Sequence, residues 1–346
     1  MNEHEPGNDY LWDGSGEPDA DVVRFEEVLA RYRHRGTPPA LPPRSSPGPR
    51  RFAVHAAMQI LMTAASLTLV AAAAWFAHAV RPGGWMVQSI AGAPVIAGTP
   101  IEKPTRLPVG ETMITDHASR ARVDVGSIGV VDVGPNSQLR LTASRRGEYR
   151  MALDRGQIRA LIWAPPLRFF VNTPSSTAID LGCAYTLNVD DRGWGQLVVE
   201  IGWVAFQHRG RESFIPQGAM CATRPGAGPG TPCFTDAAPA IVEALTILDF
   251  SSTQDVRRAA ALDTVLALAR PRDALTLWHL LSRVTPSERG RVHDRLASLV
   301  PPPAGVTREA VLRGDRRALD AWWNALGLDT AAWWRIWKRQ WSESSR

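Results

Sequence analysis

One segment constrains this chain more than any other. Residues 52–80, FAVHAAMQILMTAASLTLVAAAAWFAHAV, run for 29 positions without Asp, Glu, Lys or Arg. A helix rises about 1.5 Å per residue, so about 20 apolar residues cross the roughly 30 Å hydrocarbon layer of a bilayer. Its polar members lie near the ends (His55, Gln59, His78) or are Thr63, Ser66 and Thr68, whose hydroxyls can bond back to helix carbonyls. A cleavable leader would begin within the first few residues and carry an apolar core of about 7–15, whereas 51 residues precede this segment. The expectation is one transmembrane helix. The 20 residues before it hold Arg33, Arg35, Arg44, Arg50 and Arg51, and the 20 after it only Arg81. That asymmetry places the N-terminus in the cytoplasm. In a bacterium the chain would cross the inner membrane once, with its bulk in the periplasm.

Of the 39 basic residues 37 are Arg, because only Lys103 and Lys338 are Lys. Base composition of a genome produces such a bias as readily as chemistry does, so the net charge of +5 points to no nucleic-acid partner. All three cysteines, Cys183, Cys221 and Cys233, follow the span, where an oxidising compartment permits one disulfide. The 11-residue loop ATRPGAGPGTP makes Cys221 and Cys233 the candidate pair. No CxxC and no Cys/His cluster at metal spacing is present, so neither a metal nor another cofactor is expected.

The rest of the chain falls into segments. Within residues 1–36, DADVVRFEEVLARYRHRG reads as an amphipathic helix in which Val22, Phe25, Val28, Leu29 and Tyr32 recur at three and four residues, with Asp19 or Asp21 as N-cap. A helix of about 14 residues is marginal alone in water, so the stripe calls for a partner or else leaves the segment disordered. Residues 37–51 form a Pro-rich spacer. From 94 to 216 the period changes to two: Ala121, Val123 and Val125; Tyr149, Met151 and Leu153; Cys183 to Val189; Leu197 to Trp203. No helical stretch interrupts these runs, which predicts an all-β sandwich, barrel or short β-solenoid. Residues 217–238 read as a Gly/Pro linker, and 239–346 as an all-α subdomain of four helices and a Trp-rich end. Trp333, Trp337 and Trp341 fall on one helix face; closing the subdomain's core suits them better than lying in a membrane interface.

Catalytic signatures are missing. There is no GxSxG, GxGxxG, HExxH or GxxxxGK[ST], and Ser213 near His208 is a pairing that chance supplies. The chain does not read as an enzyme.

Three stretches, LPVGETMITDHASRARVDVGSIGVVDVGPNSQLRL at 107–141, MALDRGQIRALI at 151–162 and 169–207, together resemble the FecR domain of membrane-spanning bacterial anti-sigma regulators. The positions that carry the resemblance are Gly110, Glu111, Thr115 and Asp116 at its start, and Gly156 in the Leu-x-x-Gly turn. They continue with Thr173 and Pro174 before the next strand, then Gly182 and Gly202. Cys183 stands where the family usually has Thr, only 36 residues precede the spacer, and a helical extension follows, as in a short-N-terminus subgroup. The resemblance implies a signal-transducing regulator of transcription, with a periplasmic domain that senses or binds an envelope protein and a cytoplasmic helix that holds a sigma factor. The alternative is an envelope-side binding or scaffold protein with no cytoplasmic effector.

Overall fold

The computed structural model describes residues 17–32, 83–145 and 147–328. The expected span at 52–80, the Pro-rich spacer and Trp333, Trp337 and Trp341 lie outside the described residues. Among the described residues no helix is long and apolar enough to cross a membrane. The chain divides into two units, residues 1–77 and 78–346. In the first, α1 (Ala20–Ala30) starts where the Asp19 carboxylate accepts from the Asp21 amide at 2.8 Å.

The second unit opens with β1 (Gly84–Ala91), β2 (Val95–Ile96), β3 (Thr99–Pro100), β4 (Thr105–Pro108), β5 (Thr112–Ile114) and β6 (Arg120–Asp124). It continues through β7 (Gly129–Val133), β8 (Gln138–Arg145), β9 (Glu148–Ile162), β10 (Phe169–Asn172), β11 (Thr177–Asp180) and β12 (Cys183–Val189). The last strands are β13 (Gly195–Ile201), β14 (Trp203–His208), β15 (Arg211–Pro216), β16 (Ala219–Arg224), β17 (Gly228–Pro229) and β18 (Cys233–Phe234). They make two sheets. One runs β4-β1-β6-β7-β9-β12-β13-β16, with β17 and β18 on the free side of β16. The other runs β3-β2-β5-β8-β9-β10-β11-β14-β15, antiparallel except between β9 and β10.

Strand β9 belongs to both. Its first half pairs with β8 and β10, its second with β7 and β12, and Gly156, at φ +96°, is where it turns over from one sheet to the other. A Cβ there would collide with Ser137, so glycine is required by shape as well as by φ. The sheets face each other across one core. The Trp85 and Phe169 rings lie 6.2 Å apart across it, and Trp85 Nε1 donates to Ser144 Oγ at 3.0 Å. Of the three β architectures expected, this is the sandwich.

The expected alternation holds where a strand stays in one sheet. In β6 Ala121 and Val123 are buried between exposed Arg120, Arg122 and Asp124, and in β12 Cys183, Tyr185, Leu187 and Val189 all face the core. The run Leu197–Trp203 does not continue as read. Gly202, at φ +75°, breaks it, so Ile201 ends β13 exposed and Trp203 begins β14 in the other sheet.

Three further expectations are corrected. Residues 217–238 are not a linker, because β16, β17 and β18 lie in them and extend the first sheet to Phe234. At the other end the β region begins at Gly84, ten residues before position 94. The Cys221–Cys233 bridge does not form, and all three cysteines are free and buried. The register explains this. Cys233 is paired with Met220, so its side chain shares a face with Met220, while Cys221, one position on, points to the opposite face.

The helices are α2 (Pro239–Phe250), α3 (Arg257–Leu268), α4 (Ala274–Leu280), α5 (Pro286–Leu299), α6 (Arg308–Leu312) and α7 (Arg316–Ala325). Their starts follow the sequence chemistry: Thr285 and Glu288 form a capping box before α5, and Asp315 caps α7 through the Arg317 and Ala318 amides. Trp322 and Trp323 are fully buried. Trp323 meets Trp278 at 4.7 Å, Phe214 at 5.7 Å and Trp203 at 6.1 Å, so its ring joins the helices to β14 and β15. Burying a side chain of that size is worth about 1.5–3 kcal/mol.

Candidate functional site

The stripe on α1 is exposed. At 100° per residue Val22, Phe25, Val28, Leu29 and Tyr32 share an arc of about 120°. Phe25, Leu29 and Tyr32 are 69%, 62% and 76% exposed, Val28 is exposed and Val22 half-buried. Glu26, Glu27 and Arg24 occupy other faces of the same helix. This is an amphipathic surface of the kind that helix-in-groove recognition uses, with anchors one helical turn apart.

The positions that carry the FecR resemblance lie in the turns of the sandwich. Gly110, at φ +96°, turns the chain between β4 and β5, and its amide reaches the Leu141 carbonyl at 2.7 Å; exposed Glu111 follows it. Thr115 is buried: its Oγ1 donates to the Gly134 carbonyl at 2.7 Å and accepts from the Ser137 amide at 2.8 Å. Asp116 accepts from the Ala118 amide at 2.9 Å, and hydrogen bonds from Ser119 and Ala118 hold its carboxyl below the usual range. Thr173 Oγ1 accepts from the Ser176 amide at 3.0 Å, closing the turn that holds Pro174. Gly182 and Gly202, both at positive φ, lie back to back where β11 and β13 hand the chain to the other sheet; a Cβ on Gly202 would strike the Gly182 carbonyl oxygen. These residues build a framework, and none of them is gathered into a reactive constellation.

Two polar sites have no counterpart in the sequence motifs. The first joins the sandwich to the helices. Arg283 is buried and reaches Thr231 Oγ1 (3.0 Å), the Glu212 carbonyl (2.8 Å) and Ser213 Oγ (2.7 Å), with Asp249 at 3.7 Å. Asp249 also accepts from Arg211 at 2.7 Å and from the Thr231 amide at 2.6 Å. Burial pulls the Arg283 guanidinium down to about 10, against the pull of Asp249. Ser213, buried here, donates to the Gly230 carbonyl at 2.8 Å, so its hydroxyl is committed to structure rather than to His208. Beside this network, two clefts of about 580 and 560 Å³ meet at the Arg209–Gly210 hairpin tip and share Arg211, Glu212 and Arg316.

The second is Asp180, which is buried with no cation paired to it among the described residues. It accepts from the Cys183 thiol and the Gly182 amide, each at 2.7 Å. Burial pushes its carboxyl up to about 7, and holds the Cys183 thiol and Tyr185 phenol well above their usual ranges. Among the described residues no three His, Cys, Asp or Glu side chains are grouped to hold a metal.

The described residues thus make a β-sandwich with a helical cap, preceded in the chain by a separate amphipathic helix. No protein-family profile matches the chain. No curated protein matches it either. Among solved structures, two crystal structures described as a proposed anti-sigma factor from Parabacteroides distasonis, at 1.65 and 2.50 Å, align at 14% identity with a TM-score of 0.32 in both cases. The alignments cover 38% of this chain and 63% and 62% of those chains, so less than two thirds of either relative is spanned. An overlap that small stops short of a shared whole fold, and the FecR resemblance rests on the turn positions named above.

Proposed function

We propose that this chain is a non-enzymatic transmembrane regulator of the anti-sigma kind, in which residues 20–32 hold a sigma factor in the cytoplasm and the β-sandwich with its helical cap senses or binds an envelope protein in the periplasm. The observation that carries the reading is the α1 stripe, with Phe25, Leu29 and Tyr32 open to a partner on a helix of 11 residues. A helix that short gains little by itself, and burying Phe25 and Leu29 supplies about 1.5–3 kcal/mol each. Ordering the helix consumes part of that gain, which gives modest and switchable affinity. The five arginines ahead of the charge-free 52–80 segment support an inner-membrane, N-in placement. The names of the Parabacteroides distasonis structures are compatible with the reading.

The test is a two-hybrid matrix of residues 1–51 against every sigma factor of the host. One sigma factor should score, and Phe25→Asp/Leu29→Asp should abolish its signal. Equal signals from the two baits across the whole matrix would remove the sigma-factor role. The second reading, an envelope-side binding or scaffold protein, is favoured by the arginine-lined clefts at Arg211 and Arg316, and it predicts that the cytoplasmic substitutions change nothing.

A further inference from the structure

Deepening the proposed reading, and resting on residues 52–80 as a membrane span, we infer that one end of the β-sandwich is a lipid-facing surface built on the loop 163–168 and the row that ends in Ile201. The chain enters the sandwich at Gly83, three residues after Val80. Three residues reach at most about 11 Å, so the end of the sandwich that holds Gly83 is tethered within about 11 Å of Val80, the last residue of the apolar segment.

The register identifies what else is at that end. Gly83 packs against Ser144, Ser144 pairs with Tyr149, and the Tyr149 amide donates to the Arg168 carbonyl at 2.8 Å. Three inter-strand steps of about 5 Å put the Arg168 backbone within about 15 Å of Gly83. On the outer face of the first sheet, the row nearest the same end reads Met86, Asp124, Val130, Leu161, Ala184, Ile201. Leu161 and Ile201 are exposed, and so are Trp163, Pro165 and Arg168 in the adjoining loop.

One row further from that end the surface changes character. Arg122 pairs with Asp132 at 2.7 Å, and Arg159 pairs with Glu200 at 2.6 Å. Met86, Leu161, Trp163 and Ile201 are thus exposed apolar groups at the end where the chain arrives, while Ile90, Ile114 and Trp194 are exposed elsewhere on the sandwich. An exposed indole and an exposed arginine on the same loop suit a phospholipid headgroup layer, the ring among the upper acyl carbons and the guanidinium on phosphate. Trp163 Nε1 donates to the Ser127 carbonyl at 2.9 Å, which fixes the ring in place on its loop. Covering this end with lipid would dock the sandwich on the membrane instead of letting it tumble on its tether.

The full-length chain, reconstituted into vesicles of phosphatidylethanolamine and phosphatidylglycerol, tests this by site-directed nitroxide labelling. The native thiols are all buried, so labels go to Trp163→Cys, Pro165→Cys, Asp191→Cys at the opposite end, and Leu67→Cys within the span. Positions 163 and 165 should show an oxygen-to-nickel-chelate collision ratio several-fold above that at 191. Water-like ratios at both, with position 67 in lipid, would overturn the surface and leave the span standing. A water-like ratio at 67 as well would remove the span and the inference with it. Low collision with both reagents at 163 and 165 would mean a protein covers the end, which also overturns a lipid surface. Pro165→Cys keeps the test open if loss of the Trp163 ring disturbs the loop.

Discussion

Gly202 is under two separate demands. It sits at φ +75°, a region that costs an L-residue about 1–2 kcal/mol, and its Cα faces the Gly182 carbonyl closely enough that a methyl group would clash. Gly98 meets only the first demand, with φ +83° and open space around it. Gly202→Ala should therefore cost about 3 kcal/mol or more in urea unfolding, and Gly98→Ala about 1 kcal/mol; equal losses would mean that the sheet-switching turn is looser than described. Asp180 makes a second residue-level case. Its carboxyl titrates near 7 in the folded chain and near 3.9 when unfolded. Between those values the folded state holds a proton that the unfolded state has lost, so stability falls as pH rises from about 4 to about 7, by on the order of 4 kcal/mol. Cys183 and Tyr185, the titratable neighbours, stay protonated throughout that window. Asp180→Asn should flatten the decline in a thermal-unfolding series over that range, and an unchanged slope would exclude Asp180 as its source.

At the level of elements, the helices and the sandwich are held together by the Trp323 ring cluster and by the Asp249–Arg283 network. When Arg283 is replaced, Arg211 at 2.7 Å still pairs with Asp249, so what is lost is the charge-assisted bonding to the Glu212 carbonyl, Thr231 Oγ1 and Ser213 Oγ, about 1.5–3 kcal/mol. Arg283→Met should lose that much, and limited proteolysis should cut between β18 and α2 first; wild-type resistance would show that the aromatic contacts suffice alone. The network also marks where the sequence stops being readable. Asp249 and Arg283 are 34 residues apart and belong to no periodic pattern, so only the tertiary fold shows that they meet. Asp180 escapes for the same reason, since a buried acid between Ile179 and Leu181 has no local signature. By contrast Ala121 and Val123, the Cys183–Val189 run and the Pro239 helix start are legible, because each follows from alternation or capping within a few residues. The segment from 217 to 238 misleads because Gly and Pro are turn residues, yet Pro229 and Pro232 lie at the sheet margin, where a missing amide hydrogen costs nothing. The stripe from Val22 to Tyr32 is legible as a pattern, whereas its openness is a property of the folded helix.

For the whole molecule, the proposed reading assigns the short helix to one side of a membrane and the sandwich with its helical cap to the other. In that reading the helix would hold the partner, the span would set sidedness, and the outer domain would bind or sense. That reading depends on sidedness above all, and the five-to-one arginine asymmetry around 52–80 is the sequence feature that supports it. The most direct test fuses a reporter active only in the periplasm after Pro216 and after Arg346, and separately at Arg35. Activity at the first two positions and none at Arg35 is the expected result; activity at Arg35 with silence after Pro216 and Arg346 would contradict the account.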